Sequence, residues 1–338
     1  MPTSEQDFLS VIDRHFPNRG ERVLLGRGDD CAIIAPAAAR SGTAQNAASF
    51  CVSTDMFVEG VHFRRSYFAP ADIGHKALAA AASDLAGMGA EPLGFALSLM
   101  LPEDISDDEL DQMLAGMAEL SLRLDMPLIG GDLSRGPALA LDVVAFGQAG
   151  PSGRLLRRCQ AKPGDSLLLV GEIGLARAGL LELECKGCCE TDTWPAAIHA
   201  HLRPEPRIAE GLALAQILTP EGPAVSGLMD VSDGLARDLP RFLGPVGADL
   251  CLDGDDLHPE VAAFFSARGQ DPVEAAILGG EDYALLACAS PQRLPMVLAV
   301  LPQARVIGTV SAAPGVRLNS GAVLRQGFDH FAKPEDGC

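Results

Sequence analysis

The sequence predicts an α/β chain of the α+β kind in two domains, residues 1–152 and 153–338, on three observations. A length of 338 residues with 48% hydrophobic content is enough for roughly two cores of ordinary size. The first half is strand-rich, with apolar runs such as "FCVS", "LGFALSLML" and "ALDVVAFGQA". Gly and Pro then become dense across "GPSGRLLRRCQAKPGDSLLLVGEIG", and a fresh pattern of helices and strands begins, which sets the boundary near residue 152.

Taken in order, "SEQDFLSVIDRHF" predicts an amphipathic first helix, followed by a loop "LGRGDDCAIIAP" and an Ala/Ser/Asn-rich hairpin or loop near residues 37–48. A strand follows and runs into "STDMFVEGVHF", residues 53–63, where Asp55, Glu59 and His62 interrupt an otherwise apolar pattern. "APADIGHKALAAAASDLAGMGA" reads as a helix of unusually small residues, capped by Asp72 and closed by Gly87 and Gly89. A strand "LGFALSLML", an acid-capped helix from about Ser106 to Leu124, and strands around "PLIGGDLSRG" and "ALDVVAFGQA" complete the first half. In the second half "LARAGLLELE", "PRIAEGLALAQIL", "SGLMDVSDGLARDLPRFL", "ADLCLDG", "VEAAILGGEDYALLACAS", "LPMVLAVL" and "ARVIGTV" give a mixed α/β or α+β layer structure.

Charge narrows the function classes. The formal net charge is -19, with 21 acids against 10 bases in residues 1–150 and 24 against 16 in the remainder. Neither half offers a basic patch, so nucleic acid and anionic membranes are not expected partners. An anionic ligand has to arrive with cations. No apolar run approaches the ~20 residues that cross a bilayer, and "MPTSEQDF" lacks the features of a signal peptide, so a cytoplasmic protein is expected. Most of the nine cysteines sit singly in apolar runs, as reduced core residues do. "CKGCC", Cys185 to Cys189, lacks a second ligand pair and reads as a surface loop rather than a zinc site.

Six aspartates share one context. Asp30 in "GDDCA", Asp55 in "STD", Asp84 in "ASDLAGMGA", Asp132 in "GGDLSRG", and Asp230 and Asp233 in "DVSDG" are each flanked by Gly, Ser, Thr or Ala beside an apolar segment. Singly, such an acid is a turn residue or helix cap. Six together point to something shared. Asp84 lies among residues suited to close packing, where a charge needs an arginine or a cation as partner. Carboxylates converging on one pocket suit Mg²⁺, a hard cation with oxygen ligands. Gly130 and Gly131 before Asp132, and Gly279 and Gly280 before Glu281, let backbone amides approach a ligand closely. Neither G-x-x-x-x-G-K-[ST] nor G-x-G-x-x-G is present, so metal ions and arginine have to neutralise any ATP phosphates.

"GDDCAII", "STDMFVEGVHF", "ADIGHKALAAAASDLAGMGA", "GGDLSRGP", "AHLRPEPRI", "DVSDGLARDL", "GGEDYALL" and "GFDHF" together resemble the thiamine-monophosphate kinase family, in matching order across nearly the whole chain. That family is grouped with aminoimidazole-ribonucleotide synthetase, selenophosphate synthetase and the hydrogenase-maturation dehydratase. The resemblance implies a homodimer whose N-terminal domains share a barrel, with ATP and Mg²⁺ beside it and a C-terminal α/β domain as the far wall. It implies transfer of the ATP γ-phosphoryl group to thiamine monophosphate. Position by position, it makes Asp30, Asp55, Asp84, Asp132, Asp230 and Asp233 metal ligands, with Ser53 and Thr54 adjacent. Gly131, Asp132, Arg158 and Ser232 fall where the family contacts ATP, and His62, Glu281 and Phe328 where it contacts substrate. Asp55, Asp132 and Arg158 form the implied catalytic set, while Glu59 stays a loop or rim acid.

The chain departs from the family pattern at Leu133 and Ser134, Leu175, Ala284 and the Cys-rich segment 185–194. None of these touches the six aspartates. Two other readings compete: a different ATP-dependent enzyme of the same superfamily, and a catalytically silent magnesium or nucleotide binder. Against the first stand the lack of a reactive N-terminal Cys with a neighbouring Lys and the tail "PEDGC"; against the second, the intact aspartates.

Overall fold

The structure, a computed structural model, describes residue 12 and residues 23–26, 28–35, 49–187 and 193–318. The expected first helix (Ile12 apart), the segment near residues 37–48, residues 188–192 of the Cys-rich segment and Phe328 lie outside the described residues.

β1 (Val23–Leu25), β2 (Ala32–Ile34), β3 (Phe50–Val58), β4 (Ala90–Leu101), β5 (Leu128–Arg135) and β6 (Ala140–Ala149) form a sheet in the order β1-β2-β3-β6-β4-β5. The stretch read as a loop around Asp30, residues 25–36, holds the last residue of β1 and all of β2. β2 is held by a partner distant in sequence, Ala32 standing opposite Val52 of β3, which local pattern does not reveal. β3 pairs with β6 along its whole length, from Phe50 opposite Gln148 to Val58 opposite Ala140. Alternation puts Cys51, Ser53, Asp55 and Phe57 on one face and Thr54 and Met56 on the other. Asp55 therefore lies in the body of the strand, not at its end.

That inner face of β3 is covered by α1 (Pro70–Gly87), almost every residue of which is buried. The helix starts with Pro at its first position and Ala69 before it, with no side-chain cap. Asp72 is not the cap expected of it; it sits in the first turn and pairs with Arg203 at 3.0 Å. α2 (Asp107–Arg123) is closed at its start by Ser106 and Glu109 in a reciprocal capping box, as the acid-rich sequence there predicts.

The second sheet runs β10 (Val225–Val231), β12 (Ala284–Ala289), β7 (Ser166–Val170), β13 (Arg305–Ser311), β11 (Gly247–Leu250) and β14 (Gly315–Arg317). Neighbours are antiparallel except β11 with β14, so this half is α+β rather than doubly wound. A two-residue pair, β8 (Leu218–Thr219) and β9 (Gly222–Pro223), stands apart. Among the described residues the helices of this half are α3 (Leu175–Lys186), α4 (Pro195–Leu202), α5 (Ile208–Gln216), α6 (Leu235–Leu243), α7 (Pro259–Ser266), α8 (Pro272–Leu278) and α9 (Leu294–Val300).

Two apolar cores flank the second sheet. Leu168, Val170, Leu285 and Ala287 face the core that contains α1 and the first sheet, while Leu167, Leu169, Leu286 and Val231 face a core with α6, α7 and α8. Strands covered on both faces read as unbroken apolar runs, as "SLLLV" and "ALLACA" do. α1 is thus sandwiched between the two sheets, and its run of Ala allows that close approach.

Candidate functional site

Three segments bring carboxylates together around the C-terminal half of α1. Asp55 comes from β3, Asp84 from α1 and Asp230 from the end of β10, with Asp30 from the turn before β2 alongside. Ser53 donates its hydroxyl to Asp84 Oδ2, and Ser83 donates to Asp230 Oδ2 at 2.7 Å. The Arg158 guanidinium reaches Asp30 Oδ1 with one arm and Asp29 Oδ1 at 3.2 Å with Nε. Gly87 makes the closeness possible: a Cβ there would stand 2.4 Å from Asp30 Oδ2 and 2.8 Å from the Asp230 amide.

The carboxylates hold one another's protons. Burial, then the neighbouring Asp230, pushes Asp55 up to about 7. Burial, then Asp230, also lifts Asp84 and Asp30 well above the usual carboxylate range, although Arg158 pulls Asp30 back. Asp230 itself is pushed by burial to about 6, against the Ser83 hydroxyl and Arg158.

Among the described residues no three acids, histidines or cysteines close on a single point at ligating spacing. The donor set nevertheless fits a hard divalent cation in kind. Asp30 Oδ2 is buried with no hydrogen-bond partner among the described residues, and the neighbouring Asp230 and Asp29 raise the proton affinity of its carboxyl.

Asp55, Asp84 and Asp230, though not Asp30, open onto a cavity of about 420 Å³ that is also lined by His62, Arg177, Ser232, Asp233 and Glu281, among others. His62 sits in the turn after β3, its ring stacked on Phe57 at 5.8 Å and its Nδ1 accepting from the Val58 amide at 3.0 Å. Ser232 and Glu281 are tied together, the Glu281 amide donating to the Ser232 carbonyl at 2.6 Å. Asp233 lies 2.9 Å from an Arg241 nitrogen and 3.5 Å from Arg237.

Other expected site residues stand elsewhere. Gly131 and Asp132 lie on β5, an edge strand whose eight residues are all exposed. A Cβ at Gly131 would fall 1.8 Å from the Leu97 carbonyl oxygen, so glycine is what lets β5 pair with β4 there. Thr54 does line the cavity, although its hydroxyl donates to Asp142 Oδ1 at 2.8 Å. Glu59 makes a rim ion pair with Arg65 at 2.9 Å.

Glu281 is more constrained than a loop acid contacting substrate. Its Oε2 is 3.1 Å from Lys76 Nζ and 3.3 Å from His201 Nδ1. Burial alone would raise its proton affinity, but Lys76 and His201 hold it below the usual carboxylate range. Burial in turn lowers Lys76, against the attraction of Glu281. Lys76 and His201 are absent from the expectations above; the available signals were a lysine inside "IGHKALAAAA", in a chain with only four, and the histidine of "AHLRPEPRI". Arg64, Arg177 and Tyr67, which also line the cavity, carry no motif that marks them, and Tyr283, inside "GGEDYALL", lines it without having been expected to.

Known proteins resemble the chain over its length. Residues 28–149 match the family described as AIR synthase related protein, N-terminal domain, and residues 162–320 match AIR synthase related protein, C-terminal domain. The thiamine-monophosphate kinase of Synechococcus elongatus is 36% identical over 342 residues, 95% of this chain and 99% of that protein. That of Salmonella typhimurium is 35% identical over 340 residues, covering 96% and 98%. The solved structure of "AaThiL complexed with AMPPCP and TMP" superposes with a TM-score of 0.81 at 27% identity, over 97% of each chain.

Proposed function

The chain belongs to the thiamine-monophosphate kinase family, built from paired AIR synthase related domains, and from that premise we propose how its residues serve the reaction. It is an ATP-dependent kinase that phosphorylates thiamine monophosphate to thiamine diphosphate. The observation that carries this to the molecule is the acid-lined cavity, where Asp55, Asp84 and the pair Asp230 and Asp233, from three separate segments, meet beside His62 and Glu281.

The acceptor's second phosphate pKa is near ~6, so at neutral pH its attacking oxygen is already largely anionic and no general base is required. That oxygen forms a bond to the γ-phosphorus as the bond to the β,γ-bridging oxygen breaks, and the electron pair leaves on ADP. Transfer is direct and in line, which asks the protein to position two anions. His62 lines the cavity on the acceptor side, with Glu281 at its wall, and Ser232, which lines it too, serves ATP. Arg158, Gly131 and Asp132 serve ATP. Asp30, Asp55, Asp84 and Asp230 are the residues that would hold Mg²⁺, with Asp132 and Asp233 as further oxygen donors and Ser53 and Thr54 adjacent. Mg²⁺, when bound, neutralises phosphoryl charge.

The working unit is a homodimer joined through the first sheet. Leu128, Ile129 and Leu133 on the β5 edge are 55%, 62% and 70% exposed in the single chain, an apolar edge that a second copy would cover. The functional halves divide near residue 152, and the protein works in the cytoplasm; the described cysteines are free thiols, in keeping with that compartment.

A discontinuous assay with ATP, Mg²⁺ and thiamine monophosphate, with chromatographic separation of products, tests the reading. Thiamine diphosphate and ADP appear in equal amounts, and neither appears without magnesium. Failure to form thiamine diphosphate while ATP binds would leave the fold standing and move the substrate to another member of the superfamily.

A further inference from the structure

Resting on the kinase reading, we infer that Arg177 on α3 takes the phosphate of the acceptor and so sets the preference for phosphorylated over unphosphorylated thiamine. The cavity wall opposite α1 is one face of α3. Arg177, Leu180 and Glu184 recur at spacings of three and four residues and all line the cavity.

Beyond any Mg²⁺ held by the aspartates, the charge balance of the cavity favours a protein cation beside the acceptor phosphate. Its lining carries Asp55, Asp84, Glu184, Asp230, Asp233 and Glu281. A phosphate monoester bearing roughly -1.5 to -2 charge does not enter such a surround without positive partners. The lining guanidinium and ammonium groups are those of Arg64 and Arg177. Arg64 is engaged with Glu184 at 3.2 Å and with the Tyr67 hydroxyl at 3.3 Å. Among the described residues Arg177 makes no ion pair or hydrogen bond, so its planar fork remains available for bidentate contact with phosphate oxygens.

The side chain is also held in place. Asp282 accepts from the Gly174 amide at 2.7 Å and the Ala176 amide at 3.0 Å, which ties the first turn of α3 to the loop that carries Glu281. Gly279 gives the stem its bed: a Cβ there would meet Arg177 Cβ at 3.0 Å and Cδ at 3.3 Å. Arg177 shares the cavity with His62 and Glu281, both expected at the acceptor, whereas of the residues expected at ATP only Ser232 lines it and Gly131, Asp132 and Arg158 do not. Arg177 is therefore assigned to the acceptor rather than to ATP.

The test compares wild type with Arg177→Ala and Arg177→Lys, measuring turnover against thiamine monophosphate and ATP, and calorimetric binding of thiamine monophosphate and of thiamine. The expected result for Arg177→Ala is an acceptor KM raised about ten- to a hundredfold. Its KM for ATP and its affinity for thiamine should match wild type, and Arg177→Lys should recover part of the loss. An unchanged acceptor KM would overturn the assignment. Equal losses for thiamine monophosphate and ATP would also overturn it, since they mark a structural role. Wild-type protein that does not turn over thiamine monophosphate would instead overturn the kinase reading, a failure the variants play no part in.

Discussion

Lys76 Nζ and Glu281 Oε2 stand 3.1 Å apart and join the helix at the centre of the first half to the loop before β12 of the second. Lys76 is fully buried, with its ammonium 5.5 Å from the Phe68 ring centroid and 3.3 Å from His201 Nδ1. Glu281 adopts a left-handed backbone conformation, φ 65°, that is held by the hydrogen bond its amide donates to the Ser232 carbonyl. The pair therefore fixes the loop that forms the floor of the cavity.

Breaking one side of a buried pair leaves the other charge uncompensated. Lys76→Met is expected to lower unfolding stability by about 3–5 kcal/mol in urea titrations. Removing both charges, Lys76→Met with Glu281→Gln, should recover most of that loss. A double variant as unstable as the single would show that packing around Lys76, not its charge, carries the effect.

Asp55 illustrates a site that costs stability. Its carboxylate, which burial and Asp230 push up to about 7, is ionised at pH 8 at a cost that the amide of Asp55→Asn does not bear. In chelator at pH 8 the variant should melt a few degrees higher than wild type, worth about 1–2 kcal/mol. With magnesium and both substrates it should lose about a hundredfold or more in kcat. Normal turnover at limiting magnesium would remove Asp55 from the metal-binding set.

Asp282 gives a pH signature away from the aspartate cluster. Burial raises it to about 7, against the two amide bonds it accepts from the start of α3. The folded state then keeps a proton that the unfolded chain releases near 3.8, so the stability this group contributes is present below about pH 4 and is lost as pH rises through about 7. Asp282→Asn does not titrate. Urea midpoints measured across pH 4.5 to 7.5 should show wild type losing ground to the variant as pH rises, whereas a constant gap would mean that Asp282 is ionised throughout.

The exposed β5 edge predicts assembly. Ile129→Glu places a charge in a strand that, among the described residues, pairs only with β4. Light scattering should report a dimer for wild type and a monomer for the variant, with far-ultraviolet circular dichroism unchanged. A variant that remains dimeric would move the interface elsewhere.

Much of this was legible in sequence where the signal is local. The capping box at Ser106, the apolar strands and the alanine-rich helix all follow from side-chain size, periodicity and turn chemistry. Asp84 stood out because an acid inside "ALAAAASDLAG" has no comfortable apolar alternative. Pairings between distant segments were not legible. The hairpin of β1 and β2 depends on β3, the exposure of Asp132 depends on β5 being an edge, and the roles of Lys76 and Arg177 depend on which helices face each other. Asp72 looked like a cap because its type and position suit one, yet Arg203 from the other half competes for it.

The most direct test of the central claim follows the transferred group. ATP labelled with ¹⁸O on its γ-phosphoryl oxygens is incubated with the protein, Mg²⁺ and thiamine monophosphate, and the products are read by ³¹P nuclear magnetic resonance. The account predicts label in the terminal phosphate of thiamine diphosphate, matched by ADP. Label found only in inorganic phosphate, with thiamine monophosphate unchanged, would contradict it.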